Sequence, residues 1–316
     1  MGVALVKARI DVLLAAYDGE AYLPQQLTSL ERQLLREFRV LWQDDGSSDG
    51  TATILREASS RDSRFVAAQR QGEHLGPCGN FISLLRQSDA PYCALCDQDD
   101  VWAPDHLLSL MSMMEKAEAE SLAGTPLLVY SDCSLIDGAG RVLHPSMCLH
   151  QGWRLDALPL KELLVQTNAT GCTMLMNAPL RKLVAEHAPE VPFMHDWIIA
   201  LVAACFGGSC FVRMPLVDHR VHEGNVIGAS RGSLPARALR AVRHGDAVRE
   251  RIARSYHHAR LLLDAWGEIM PEGPREAVEG YLATRELPKL QRVMAVRRGG
   301  YRMQRPLFRL AQLIWG

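Results

Sequence analysis

The sequence predicts a doubly wound α/β sheet, and three observations carry that expectation. Short apolar runs alternate with stretches of helical periodicity from residue 10 to residue 130. The first run, residues 10–16, is apolar but for one residue, as in a parallel strand buried on both faces. Three polar clusters, Tyr17-Asp18-Gly19, Asp44-Asp45-Gly46 and Asp97-Gln98-Asp99-Asp100, stand at the ends of such runs. In an open α/β sheet that topology gathers them on one edge, where ligands sit.

Residues 10–16 form an apolar run broken only by Asp11. Leu23, Leu27, Leu30 and Leu34 follow at helical spacing. A second strand is expected over residues 38–42, a helix over 51–58 and a short third strand over 65–68. Residues 81–85 lie in another helix, 92–96 form a strand that runs into the acidic cluster, and Pro104 opens the next helix. Residues 127–130 are again strand-like. Further on, strands are expected over 172–176 and 211–217 and a buried helix over 197–205. Beyond Gly228 the pattern is helical, with loops near residues 271–274 and at Gly299-Gly300. Two regions follow: an α/β domain over 1–228 and a basic helical region over 229–316.

Apolar residues make up 48% and charged residues 22%, which supports a sizeable core and excludes general disorder. A net charge of -1 argues against a nucleic-acid binder. From Pro235 onward 16 Lys or Arg stand against 8 Asp or Glu, leaving the remainder acidic. Cys93 and Cys96 form a CxxC, but no second pair completes a zinc site, and reduced core cysteines are expected. The first residues lack a signal-peptide pattern and no run is long enough to span a bilayer. A cytoplasmic location is expected.

Carboxylates packed as closely as those of DQDD repel, and a divalent cation relieves that repulsion. Asp97 and Asp99 fall on one side if the backbone stays extended. Such a site takes Mg2+ or Mn2+ through few protein ligands, phosphate oxygens and water completing the shell. A solvated loop or a cap before Pro104 would read the same. The stretch QDDGSSDGT is turn chemistry in which Asp49 or Ser48 caps the next helix. Asp45 is left over, able to accept the imide N–H of a uracil or thymine ring or simply to serve the turn. His195-Asp196-Trp197 precedes an apolar helix, so Asp196 is a cap or a base kept ionised by the helix dipole. His219 and His222 form an HxxH beyond a strand. His222 is the stronger candidate for a metal or diphosphate contact.

Taken together, LLAAYDGEAYLPQQLTSL, QDDGSSDGT, LGPCGNF, CDQDDVWAPD, LVYSD, TGCTMLMN, MHDWIIAL and HRVHEGNVIG resemble the family-2 glycosyltransferases in order and spacing. QDDGSSDGT with a downstream DQDDVW is the most specific part, and the block through HDW is similar to a bacterial rhamnosyltransferase-like branch. The resemblance implies a GT-A fold, a Rossmann-like doubly wound mixed sheet with a C-terminal helical extension. It implies that Ala15, Ala16 and Tyr17 line a nucleoside pocket and that Asp45 reads the base. Asn80, His195 and Trp197 go with the nucleotide and sugar, and Gly171 with the sugar and acceptor. Asp99 is favoured as the metal ligand, with Asp97 facing ribose or sugar. Asp196 matches the catalytic base and His222 a histidine of a closing loop. The sequence departs from the family at Asp18, where Asn is common, at Gly79, where many carry Lys, and at His219, where an aromatic is usual.

The implied activity is inverting transfer of a sugar, rhamnose being the branch's suggestion, from a dTDP- or UDP-linked donor to a saccharide or lipid-linked acceptor. The setting is bacterial cell-surface polysaccharide or glycolipid synthesis. A nucleotidyltransferase would want a Gly-rich basic loop near the N-terminus, which LLAAYDGEAYL is not. An inactive binding protein on this fold would be expected to lose Asp99 or Asp196. The basic tail reads as a solvated cap, a dimerisation element or a peripheral membrane contact at the inner face, since residues 301–316 mix Arg with Leu, Phe and Trp.

Overall fold

A computed structural model describes residues 8–69, 74–189, 194–221 and 245–316. His222, the boundary at residue 228 and nearly all of the loop expected to close over the site lie outside these residues.

The first strand, β1 (Ile10–Ala16), lies between β2 (Phe38–Asp44) and β4 (Tyr92–Asp97), parallel to both. β3 (Phe65–Ala67) extends the parallel set beyond β2. The connecting helices are α1 (Leu23–Glu31), α2 (Thr51–Arg61) and α3 (Gly76–Gln87). The strand order 3-2-1-4 reverses direction at β1, so β1 and β4 frame the switch point where such sheets bind ligands.

Past β4 the sheet becomes mixed. The chain continues through β5 (Val101–Trp102), α4 (His106–Ala119), β6 (Leu127–Ile136), β7 (Val142–His144), α5 (Met147–Gln151) and α6 (Leu160–Leu163). It then forms β8 (Met174–Asn177), α7 (Ala178–His187), α8 (His195–Phe206) and β9 (Gly208–Arg220). β8 runs antiparallel between β4 and β6, β9 runs parallel to β6, and β5 pairs antiparallel with β9.

Apolar side chains cover both faces of the sheet. Leu13 joins one cluster while Ile10, Val12 and Leu14 join the other, as alternation along a strand requires. Asp11, the polar exception in this run, is fully buried yet satisfied. Arg39 Nε and Nη2 donate to its two oxygens at 2.8 and 2.7 Å, and Ser88 donates at 2.7 Å. Cys93 and Cys96 point to opposite faces of β4, and all eight cysteines are reduced.

Four expected boundaries shift. Leu34 falls beyond α1, whose end is set at Arg32, and is exposed. The strand expected from Cys172 begins at Met174, because the chain first makes a 3-10 turn over Gly171–Thr173, with the Thr173 amide donating to Thr170. Helix α2 has Gly50 at its cap position, while Asp49 accepts the Thr51 amide at 3.0 Å. Pro274 lies in the first turn of a helix rather than a loop, a position that loses no helical hydrogen bond.

The C-terminal helices are α9 (Asp246–Trp266), α10 (Glu272–Ala283), α11 (Lys289–Gly299) and α12 (Pro306–Trp315). They pack onto the layer containing α7 and α8. Trp266 is fully buried and donates to the Leu183 carbonyl at 3.0 Å, and His258 stacks on Trp197 at 4.8 Å. Arg305 Nε donates to the Gly152 carbonyl at 2.7 Å, and Gln304 Oε1 accepts the Arg154 amide at 2.7 Å. Among the described residues no helix is long and apolar enough to cross a membrane.

Candidate functional site at the switch point

Strand register assembles the edge. Ala15 of β1 sits between Gln43 of β2 and Asp97 of β4, and Ala16 pairs with Asp44. Beyond the strand ends the ladder is continued by a side chain. Gln98 Oε1 accepts the Tyr17 amide at 2.8 Å and its Nε2 donates to the Tyr17 carbonyl at 2.7 Å. A Cβ on Gly19 would lie 2.1 Å from Gln98 Oε1, so this approach requires glycine.

The turn motif laces the first two clusters together. The Asp18 amide donates to Ser47 at 2.9 Å, and the Ser48 amide returns a bond to Asp18 at 2.7 Å. The Gly19 amide donates to Thr51 at 2.7 Å and the Glu20 amide to Asp49 at 3.0 Å. Asp18 takes the left-handed conformation, φ 46°, which Asn and Asp tolerate best after glycine.

Asp45 is only 1% exposed, and its carboxylate caps α3. Oδ1 accepts the Leu75 amide and Oδ2 the Gly76 amide, each at 2.8 Å, and His74 Nδ1 lies 3.1 Å from Oδ2. A base contact would have to share a carboxylate already filled by backbone donors. Beside it the half-exposed rings of Tyr17 and His74 meet at 4.5 Å. His74 carried no motif that would have marked it. Asn80 also differs from expectation: it is buried under β2, donating to the Gln43 carbonyl at 3.3 Å, and braces the strand rather than lining the cleft.

The acidic cluster divides by burial. Asp97 and Asp99 are partly exposed, whereas Asp100 is fully buried. Asp100 accepts the Arg220 amide at 3.0 Å and pairs with His219 Nδ1 at 3.0 Å. Burial opposes charge on both partners of that pair, but their attraction prevails. It holds Asp100 below the usual carboxylate range and raises His219 to about 9. Arg220 is fully buried above the Tyr22 ring. Its Nε donates to the Asp99 carbonyl at 2.8 Å and its Nη2 to Gln25 at 2.7 Å. Nη1 reaches the Asp137 and Gly138 carbonyls at 3.1 and 3.2 Å. Arg220 therefore fixes the backbone that presents Asp99. Sequence reading passed over Asp100 and Arg220 because only the β5–β9 pairing brings them together.

Asp97 shows the electrostatic state of this edge. Burial, then Asp100 and Asp99, pushes its carboxyl well above the usual range, and Asp196 adds to the effect. An oxygen-rich donor set under mutual repulsion fits a hard divalent cation, with Asp99 and Asp97 as the residues that would hold it. Asp100, Cys172 and His219 also converge, their ligand atoms within 4.8 Å of one another. There, however, the Cys172 thiol is pushed up by burial and Asp100 is engaged by His219, an arrangement that braces the edge.

Asp196 occupies the first turn of α8, where its Oδ1 accepts the Trp197 amide at 2.7 Å. The 3-10 turn over Gly171–Thr173 packs against β4, whose last residue is Asp97, and links this helix start to the acidic edge. Gly171 adjoins them: a Cβ there would lie 3.0 Å from His195 Nε2 and 3.9 Å from Asp196 Cβ. The His195 ring leans on Phe81 at 4.6 Å, and burial holds it below its ordinary pKa against the pull of Asp196. Trp197 is not part of the cleft. The helix turns it inward, where it is buried and donates to the Leu163 carbonyl at 2.7 Å.

Comparison with known proteins accords with this geometry. The family model for glycosyl transferase family 2 matches residues 11–184, more than half of the chain. The dTDP-rhamnosyl transferase RfbG of Shigella flexneri is 22% identical over 228 residues, covering 69% of this chain and 74% of that one. The succinoglycan biosynthesis protein ExoW of Rhizobium meliloti is 32% identical over 116 residues, 36% of each chain. Among solved structures, S. aureus TarS 1-349 in complex with UDP-GlcNAc aligns with a TM-score of 0.56 at 14% identity, covering 96% of this chain and 90% of that one. The mannosyltransferase PcManGT from Pyrobaculum calidifontis, in complex with GDP-Man and Mn2+, aligns with a TM-score of 0.51 at 14% identity, covering 98% and 85%. The family model spans more than half of the chain and the solved structures share its architecture: the chain is a glycosyltransferase of the GT-A fold and belongs to glycosyl transferase family 2.

Proposed function

We propose that the protein transfers a sugar, with inversion, from a nucleoside diphosphate to an acceptor hydroxyl, with Asp196 as the base. The observation that carries this reading is the convergence of Asp196 and the acidic end of β4 on the Gly171–Thr173 turn, which packs against β4 and whose Gly171 Cβ position lies 3.9 Å from Asp196 Cβ. In the proposed step the acceptor oxygen attacks the anomeric carbon and its proton passes to the Asp196 carboxylate. The bond to the diphosphate oxygen breaks, and its electron pair leaves with the nucleoside diphosphate. Mg2+ or Mn2+ held at Asp99, with Asp97 beside it, would supply Lewis-acid stabilisation of the departing charge. Ala15, Ala16 and the Tyr17–His74 ring pair border the space for the nucleoside. Gly171 lets His195 and Asp196 approach its turn closely and borders the space assigned to sugar and acceptor.

The donor is dTDP- or UDP-linked in this reading, and rhamnose is favoured by the similarity to a dTDP-rhamnosyl transferase. The acceptor is a saccharide or a lipid-linked saccharide of bacterial cell-surface synthesis, met on the cytoplasmic side. Asp196→Asn tests the assignment. Donor binding by calorimetry should persist, while transfer falls by about 10²–10⁴-fold, the usual contribution of a positioned base. Transfer equal to that of the unaltered protein would refute it.

A further inference from the structure

The surface made by α11 and α12 is basic and apolar at once. Residues 287–316 contain seven Lys or Arg and no Asp or Glu. On α11, Leu290 and Met294 are 75% and 43% exposed, and Arg297 and Arg298 continue the same face one turn on. On α12, Leu307 and Leu310 are 51% and 46% exposed, while Phe308, Ala311 and Trp315 pack inward. Lys289 Nζ donates to the Ile314 carbonyl at 2.6 Å, joining the start of α11 to the end of α12. Val293 and Val296 of α11 and Leu313 of α12 line one cavity beneath, so the helices lie side by side.

Large aliphatic side chains left in water at this density mark a surface that something covers. The charge distribution decides what. A second copy of the chain meeting this face across a two-fold axis would bring two all-basic surfaces together. An anionic bilayer offers what the face lacks, negative headgroups for the cations and an apolar layer for the leucines.

We infer that α11 and α12 dock the protein on an anionic lipid bilayer. Leu290, Met294, Leu307 and Leu310 enter the acyl boundary, and Arg297 and Arg298 lie among the headgroups. The docking deepens the proposed function, since it holds the cleft where a lipid-linked acceptor presents its hydroxyl. It rests on that reading for its use but not for the binding itself.

The test is co-sedimentation of the full chain with vesicles of phosphatidylcholine alone and of phosphatidylcholine mixed with phosphatidylglycerol. The chain should bind the mixed vesicles, bind neutral ones at least about tenfold more weakly, and release as salt is raised. Leu307→Ser/Leu310→Ser and Arg297→Gln/Arg298→Gln should each weaken binding by about tenfold or more. Both variants should keep the unaltered melting profile and transfer to a soluble acceptor. Equal binding to both vesicles, binding to neither, or unaltered binding by the leucine variant would overturn the inference. So would light scattering that shows a dimer which the leucine variant dissolves. Vesicle binding without any glycosyl transfer would count against the proposed function and leave the docking standing.

Discussion

Two carboxylates at helix starts, Asp45 and Asp196, meet the same kind of partner with different results. Each accepts backbone amides where a helix dipole favours an anion. Asp45 reaches α3 from the end of β2, is buried, and has both oxygens on amides with His74 alongside. Asp196 belongs to the first turn of its own helix, commits Oδ1 to the next amide and remains partly exposed beside Gly171. A carboxylate filled by fixed donors holds the fold, whereas one with accepting capacity facing a charged cleft can take a proton. Residue type and helix position are common to both; what each oxygen faces is not.

The largest expected difference comes from neutralising each in turn. Asp196→Asn should keep its melting temperature while losing about 10²–10⁴-fold in transfer. Arg220→Met probes the scaffold behind the cleft. It strips donors from the Asp99, Asp137 and Gly138 carbonyls, and a loss of about 3 kcal/mol in urea unfolding is expected. Asp45→Ala should cost about 1–3 kcal/mol by orphaning two amides, with transfer falling only as far as folding does. A variant that melts normally but no longer binds nucleoside diphosphate would move Asp45 into the base site and collapse the contrast.

The smallest effect is a pH slope. Burial lowers His106 to about 3 and also lowers His195 and His258, so folding opposes protonation of all three. An unfolded histidine titrates near 6.5. Between that value and about 3 the unfolded chain binds more protons, so stability should fall as the solution is acidified below about pH 6.5. His219 has the opposite sign. Raised to about 9, it stabilises below its unfolded value and loses that contribution as pH climbs through 9. Thermal melts of the unaltered chain and of His106→Met should diverge only on the acid side.

Much of the sheet was legible because its signals are local. The run over β1, the helical leucines of α1 and the turn chemistry of QDDGSSDGT mark elements within a few residues of themselves. β6 was read only as far as Tyr130, since Ser131, Asp132 and Ser134 look like a loop. They are strand because β6 pairs with β9 through Ile136, while Asp132 accepts the Cys133 and Cys148 amides and Ser134 bonds Asp218. α7 was missed although Asn177 caps it by accepting the Leu180 amide, a cap whose signal is too short to stand out. At the site, the acidic cluster and Asp196 were visible as residue types in suggestive places. The inward turn of Trp197 and the burial of Asn80 were not.

By itself the sequence determined the order of the longer strands and helices as far as β6, the acidic strand ends and the glycosyltransferase motifs. Apolar periodicity, turn residues and motif spacing all act over short stretches of chain. Tertiary structure alone decided that Asp45 caps a helix, that Arg220 anchors Asp99 from 121 residues away, and that the leucines of α12 divide between core and surface. Those outcomes depend on which donors and apolar surfaces come to lie opposite one another. Hydrogen bonds form within about 3 Å in space, and distance along the chain does not fix distance in space.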